Sequence, residues 1–291
     1  MSHKYSVVLA NLAEDGGDVW KKPREVLEAV AEAGYDGVDL DAEPDRIPEE
    51  KFNEVRDMAT SLGLKIPALL GAWACWHAGE ERDLASPDPS VRANAIRYAK
   101  MCVDLAATFE DPPYYEIVPC PKDTGYPLTS IPYNELRENF LQTTKEITKY
   151  AAERDVKIAI EPCNRFESYA GFMNTIHEAM GIVEQLGMDN LYVLCDFFHA
   201  NIEDGPITDT LRRAGDRLCY IHLADSNRQA PGTGHIDWLD VMRTLNEIDF
   251  KGYLALDSVP AIPDWKSLLR ITLPFMKQME ETAALQEEIR H

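Results

Sequence analysis

Short runs of β-branched and aromatic residues alternate along this chain with longer segments of helical periodicity. Each short run is five or six residues long, which is the usual length of a strand, and a Gly or a polar turn precedes it. The chain therefore predicts eight strands, at residues 5–10, 37–41, 66–70, 115–119, 156–161, 191–196, 218–223 and 253–257.

The segments between these runs are amphipathic and predict helices, for example REVLEAVAEAG, VRANAIRYAKMCVDLAATF and WLDVMRTLNEI. Eight β-then-α units in succession predict a (β/α)8 TIM barrel, an α/β fold, as a single domain over residues 1–291. A doubly wound open sheet is the competing fold, but it usually has fewer strands. The chain also has no GxGxxG or GxxxxGK[ST] motif, so we expect no nucleotide cofactor.

Charge narrows the range of partners. The chain has 50 acidic and 29 basic residues, a net charge of −21. Such a surface repels phosphate backbones and anionic membranes, and no basic stripe is present, so we expect no nucleic acid partner. Six scattered cysteines without CxxC spacing predict reduced thiols, and no apolar run is long enough to span a membrane. These features predict a cytoplasmic protein.

Polar residues end the last four predicted strands at the same depth. They are Glu161, Asp196, His222 and Asp257, and counting back by two along each strand gives Ala159, Leu194, Tyr220 and Ala255. In a barrel, side chains of this parity converge on the axis at the C-terminal ends of the strands, where barrels carry their functional sites.

Three carboxylates at one depth repel each other strongly in a dry site, so these three and the imidazole cannot coexist there without a cation. Oxygen-rich ligation with one nitrogen suits Mn²⁺, Co²⁺ or Mg²⁺, so we expect a divalent metal on these four residues. Salt bridges to Lys or Arg are the alternative for any one of them.

Further polar and aromatic residues follow the predicted strands. Glu167 closes "NRFE", His199 closes "DFFH" and Arg228 precedes the tight loop "PGTG". Trp73, after the third strand, is placed to roof a pocket. We expect these four residues to bind a substrate; the alternatives are a helix-capping histidine, a solvated arginine and an aromatic ring packed on a helix.

Several motifs together resemble the xylose-isomerase-like sugar isomerase/epimerase superfamily, and within it the D-tagatose/D-psicose (ketose) 3-epimerases. The matching segments are "EPCNRFE", "CDFFHANIED", "HLADSNRQAPGTGHIDW" and "DLASPDPSVRANAIRYAK". Their joint occurrence is specific, whereas each alone is weak.

The resemblance implies that Glu161, Asp196 and His222 hold three of the four metal-ligand positions, with Mn²⁺ as the preferred metal. It also implies that Glu161 is one of two proton-transfer carboxylates, and that Glu167, His199 and Arg228 contact a sugar. At the fourth ligand position the family has Glu, whereas this chain has Asp257, whose carboxylate lies roughly 1.5 Å nearer the backbone. A homodimer or homotetramer is a further implication.

The expected activity is 3-epimerisation of a ketose through an enediolate, with Glu161 and Asp257 as the two bases. The main rival is a metal-dependent lyase or dehydratase acting on a keto-sugar, an inosose or a 3-keto-glycoside, which needs only one strong base. An aldose–ketose isomerase and a non-catalytic sugar-binding protein are two less favoured functions. Nucleic acid cleavage, as in the endonuclease-IV relatives, disagrees with the acidic charge.

Overall fold

The computed structural model describes residues 3–72, 75, 78–119 and 130–290. It contains eight strands that pair in parallel in the order β1-β8-β7-β6-β5-β4-β3-β2. They are β1 Lys4–Val7, β2 Leu40–Asp41, β3 Ala68–Leu70, β4 Tyr114–Ile117, β5 Ile158–Ile160, β6 Leu191–Asp196, β7 Leu218–Leu223 and β8 Tyr253–Leu256.

The first and second strands close the sheet. The backbone N–H of Asp39 donates to the carbonyl of Val7 at 2.8 Å, and that of Leu9 donates to the carbonyl of Asp39 at 3.3 Å. Together with the ladder of the other strands, these bonds complete a barrel, and the predicted (β/α)8 fold is confirmed.

Helices follow the strands. They are α1 Pro23–Ala33, α2 Glu49–Ser61, α3 Pro89–Ala106, α4 Tyr133–Ala152, α5 Ile176–Leu186, α6 Phe197–Glu203, α7 Ile207–Ala214, α8 Trp238–Glu247 and α9 Trp265–Arg290. None of these helices in the described ranges is long and apolar enough to cross a membrane.

Each outer helix packs an apolar stripe on the sheet. In α8 the buried residues include Trp238, Val241, Met242 and Leu245, which recur at i, i+3, i+4 and i+7 and therefore share one face of the helix. Capping fixes where a helix begins. Thr175 and Glu178 form a reciprocal capping box at the start of α5.

The predicted first strand is too long. A 3₁₀ helix over Leu9–Asp15 begins where the prediction still has strand. Leu9 and Leu12, one 3₁₀ turn apart, are both buried, so helical spacing directs both side chains into the core. The five cysteines in the described part of the chain are free and buried, as expected of reduced thiols.

A separate apolar cluster fills the barrel interior, made of Val8, Ala68, Leu70, Ala159, Leu194, Cys219, Tyr220 and Ala255. The predicted interior layer on the last four strands is therefore confirmed. Because side chains alternate along a strand, the residues two positions after Ala159, Leu194, Tyr220 and Ala255 point inward one layer higher. The packed interior thus forms the floor of whatever lies at the C-terminal ends of the strands.

Candidate metal centre

The structure brings together the four polar residues at the ends of β5 to β8. Glu161, Asp196, His222 and Asp257 are all buried, and one ligand atom from each lies within 4.8 Å of the others. Nδ1 of His222 is 3.1 Å from Oε1 of Glu161 and 3.5 Å from Oδ2 of Asp257.

Backbone pairing holds two of these residues at the strand ends. The N–H of Glu161 donates to the carbonyl of Ile117, and that of Asp257 donates to the carbonyl of Leu223. Asp196 is fixed differently, because its Oδ1 caps α6 by accepting from the N–H of Phe198 at 2.7 Å. Its other oxygen, Oδ2, faces the cluster.

Arg228 contacts the cluster directly. Its Nη1 donates to Oδ2 of Asp196 at 2.5 Å, and its Nη2 donates to Oδ2 of Asp257 at 2.8 Å. Asn11, in the segment after β1, donates to Oδ1 of Asp257. Both oxygens of Asp257 are therefore held by donors from opposite sides.

The loop after β7 determines where Arg228 points. Arg228 has a left-handed φ of +64°, and Asp225 organises the loop by accepting from Gly232 N and from Trp238 Nε1, each at 2.8 Å. A Cβ on Gly234 would lie 2.2 Å from Oδ1 of Asp225, so only glycine fits there. As expected, the PGTG stretch is a tight loop, and it supports the segment from which Arg228 reaches the cluster.

His199 and Glu167 lie beside the cluster. Nε2 of His199 is 3.7 Å from Oδ2 of Asp196, and its Nδ1 is 3.6 Å from Oε2 of Glu167. His199 is also 2.7 Å from the Asn164 side chain through Nδ1. The Glu167 side chain is 40% exposed, so it lies at the mouth of the site. Trp73 lies outside the described residues.

The electrostatics of the cluster are strongly perturbed. Burial raises the pKa of Asp257 to about 7, against the opposing effects of Arg228 and His222. Burial also acts to raise the pKa values of Glu161 and Asp196. Several lowering effects together outweigh it, led by His222 at Glu161 and by Arg228 at Asp196, so both pKa values lie below their usual ranges. Burial acts to lower the pKa of His222, but Glu161 and Asp257 raise it well above its usual range.

Glu161, His222 and Asp257 line a cavity of about 270 Å³. Three further polar residues line it that the sequence analysis did not predict: Asn11, Asp41 and Glu116. Burial raises the pKa of Asp41 to about 7 and that of Glu116 well above its usual range. Glu116 carried a signal in the sequence, because a carboxylate inside the run "YYEIV" is costly to bury without a function or a partner.

A wider cavity of about 1120 Å³ lies at the opposite, N-terminal end of the strands. Its lining includes Lys4, Tyr114, Lys157 and Tyr253, none of which belongs to the buried acid–imidazole cluster. Because function in this fold is located at the C-terminal strand ends, the smaller cavity is the candidate site.

The donor set fits a divalent metal. Three carboxylates and one neutral imidazole are the ligands that Mn²⁺, Co²⁺ and Mg²⁺ accept, and their ligand atoms lie close enough to surround one ion. The buried carboxylates of this cavity also outnumber its cationic side chains, so a cation would relieve their repulsion.

The protein is thus a (β/α)8 barrel. At the C-terminal ends of its last four strands it carries a buried cluster of three carboxylates and one histidine, a set of ligands suited to a metal ion. A sequence model described as the xylose isomerase-like TIM barrel matches residues 27–279. The chain belongs to this family.

Its relatives include named epimerases. The chain is 27% identical over 260 residues to the D-psicose 3-epimerase of Enterocloster bolteae, covering 87% of this chain and 81% of that protein. It is 24% identical over 267 residues to the 3-dehydro-D-guloside 4-epimerase of Escherichia coli, covering 88% of this chain and 95% of that protein.

The solved structures show the same fold. The D-allulose 3-epimerase from Methylomonas sp. in complex with D-allulose superposes with a TM-score of 0.79 at 23% identity, covering 95% of this chain and 97% of that chain.

Proposed function

We propose that this protein is a divalent-metal-dependent epimerase that inverts the carbon next to the ketone of a sugar. One observation carries the proposal. Two buried carboxylates, Glu161 at the end of β5 and Asp257 at the end of β8, both lie close to Nδ1 of His222. The names of the relatives support it, since they act as epimerases on psicose or on a keto-glycoside.

Glu161, Asp196, His222 and Asp257 would hold the metal, with Mn²⁺ preferred and Co²⁺ or Mg²⁺ also suited to the ligands. A bound divalent cation polarises a carbonyl and the adjacent hydroxyl, which makes the C–H bond between them acidic. Glu161 then removes this proton as a base, and Asp257 returns a proton to the opposite face. The product is an isomer of equal mass, and no redox step is needed.

The surrounding side chains would orient the substrate. Arg228 and His199 lie within reach of the cluster and can donate to sugar oxygens, whereas Glu167 at the mouth can accept from hydroxyls at the far end of the sugar. We also assign Trp73 to the substrate pocket, as the sequence predicts. From the family resemblance we further propose a homodimer or homotetramer, which sedimentation velocity tests.

The test is deuterium incorporation. Protein loaded with Mn²⁺ is incubated in D₂O with a panel of free ketoses, the metal is removed with EDTA, and the sugars are examined by NMR. We expect deuterium at C3 together with the C3 epimer. Glu161→Gln and Asp257→Asn each remove one base, so we expect both to lose epimerisation. No exchange with any ketose, in protein shown by elemental analysis to hold metal, would rule out free ketoses as substrates.

A second candidate substrate is a 3-keto-glycoside, because the 4-epimerase relative is matched over nearly its whole length. The same chemistry then inverts C4, or, if Asp257 does not return the proton, eliminates a group. The assay separates these outcomes by product, because epimerisation conserves mass and elimination releases water or an aglycone.

A further inference from the structure

Glu116 is a buried carboxylate that the proposed reaction does not use. It lies in β4, where it pairs in register with Leu70 of β3 and with Ala159 of β5, both of which belong to the interior cluster. Its side chain therefore enters the barrel interior beneath the metal centre. Glu116 is only 4% exposed, and its Oε2 has no hydrogen-bond partner among the residues that the structure describes.

The imidazole of His222 connects Glu116 to the metal centre, where Glu116 also neighbours Glu161. One ring nitrogen, Nδ1, faces Glu161 and Asp257, the proposed metal ligands. The other, Nε2, is 3.7 Å from Oε2 of Glu116 and likewise has no hydrogen-bond partner in the described part of the chain. The two unpartnered polar atoms, both buried, thus face each other across a gap slightly longer than a hydrogen bond.

The chemistry of a ligating histidine gives this arrangement a function. If Nδ1 binds a metal, the proton of the neutral ring is on Nε2, and this N–H requires an acceptor in a buried site. Ligating histidines usually donate this second N–H to a carboxylate or carbonyl, which fixes the tautomer and the orientation of the ring.

We propose that Glu116 is the positioning residue of the metal centre, accepting a hydrogen bond from Nε2–H of His222 and holding Nδ1 toward the metal. The proposal rests on the metal site put forward under Proposed function. Glu116 acts through His222 and not as a ligand, because the cluster of mutually close ligand atoms in the described part of the chain does not include it.

A neighbouring carboxylate provides a matched control. Asp39 is also fully buried inside the barrel, but its Oδ1 accepts from the hydroxyl of Tyr220 at 2.6 Å, and it acts on His222 through its charge. Asp39→Asn keeps an acceptor for Tyr220 and removes one negative charge from the same interior. It therefore separates a general effect of charge from the specific contact with His222.

The experiment is calorimetric titration of the metal-free protein with Mn²⁺, for wild type, Glu116→Met, Glu116→Gln and Asp39→Asn. Methionine keeps the approximate shape of Glu116 without an acceptor, and glutamine keeps an acceptor oxygen. We expect Glu116→Met to weaken Mn²⁺ binding by about 10- to 100-fold, and Glu116→Gln and Asp39→Asn to weaken it by about threefold or less. Near-UV circular dichroism establishes that each variant is folded.

Three results would overturn the inference. They are wild-type affinity in Glu116→Met, a loss in Glu116→Gln equal to that in Glu116→Met, and a loss in Asp39→Asn equal to that in Glu116→Met. If Glu116→Met does not fold, a loss of about tenfold or more in Glu116→Gln overturns it, and near wild-type affinity supports it. Absence of Mn²⁺ binding in the wild type would instead refute the proposed function, and this inference with it.

Discussion

The contact of Arg228 with the metal centre leads to a quantitative prediction. Its guanidinium lies 2.5 Å from Oδ2 of Asp196 and 2.8 Å from Oδ2 of Asp257, and the two carboxylates are 0% and 7% exposed. Replacing Arg228 with Met removes this positive charge and keeps most of the aliphatic stem. Both carboxylates then remain buried with less compensation.

Removing one partner of a buried ion pair typically costs about 3–5 kcal/mol of folding free energy. With an unfolding entropy of about 2.1 cal/mol/K per residue, the 291 residues give about 0.6 kcal/mol/K. The melting temperature of Arg228→Met in EDTA should therefore fall by about 5–8 °C. In saturating Mn²⁺ the decrease should be smaller, because the ion supplies positive charge to the same carboxylates.

The assay is thermal unfolding followed by circular dichroism, in EDTA and in Mn²⁺. Arg212 is the matched control, because it also bridges two carboxylates, Glu247 and Asp209, but its side chain is 42% exposed. Surface pairs contribute about 0–1 kcal/mol, so Arg212→Met should lower the melting temperature by about 2 °C or less in both buffers. An equal decrease for Arg228→Met with and without Mn²⁺ would refute the idea that guanidinium and metal compensate the same charges.

Other predictions concern the metal, a buried ion pair and pH. Mn²⁺ at about 100 times its Kd should stabilise the wild type by about 2.7 kcal/mol in thermal unfolding, and EDTA should reverse this. Arg82→Met should cost about 3–5 kcal/mol in urea unfolding, because Arg82 forms a bidentate pair with Glu43 and both side chains are at most 3% exposed. Exposed Arg46→Met should cost far less. Burial raises the pKa of Asp204 to about 6, so the folded state binds this proton more tightly than the unfolded state does. The free energy of unfolding should therefore fall as the pH rises from about 4 to 6 and Asp204 ionises. Asp204→Asn should therefore be more stable than wild type at pH 8, by about 1–2 kcal/mol after allowance for solvent, and similar at pH 4; a constant difference across pH would contradict this.

The strand-end cluster was predictable because its determinants are local. Each strand of the last four alternates with a period of two, so the sequence indicates which residues point inward and at what height. A barrel then brings Glu161, Asp196, His222 and Asp257 together, whatever the detailed shape of the loops.

Other contacts of the site could not be predicted in the same way. They depend on the conformation of the connecting segments, or on which residues of an earlier strand point into the barrel. The side chain of Arg228 reaches Asp196 and Asp257 only because its backbone adopts φ = +64° in the loop after β7. Asn11 contacts Asp257 across 246 positions of sequence. Glu116 lies among residues that read as an apolar strand, and its pairing with Leu70 and Ala159 is what shows it to point into the barrel.

Asp257 combines a position that the sequence predicts with contacts that it does not. Asp257 is one carbon shorter than the Glu at this position in the family, so the sequence alone predicts a carboxylate set back from the metal position. A displacement of about 1 Å at a reacting group can cost about a hundredfold in rate. In the structure its oxygens are engaged by Asn11 from the β1 side and by Arg228 from the β7 side, and Asp257 still lies within 4.8 Å of the other ligand atoms. The segments after β1 and β7, whose contacts with Asp257 the sequence did not predict, therefore hold the shorter residue in the cluster. This placement supports the proposal that Asp257 is the second base, and with it epimerisation over elimination.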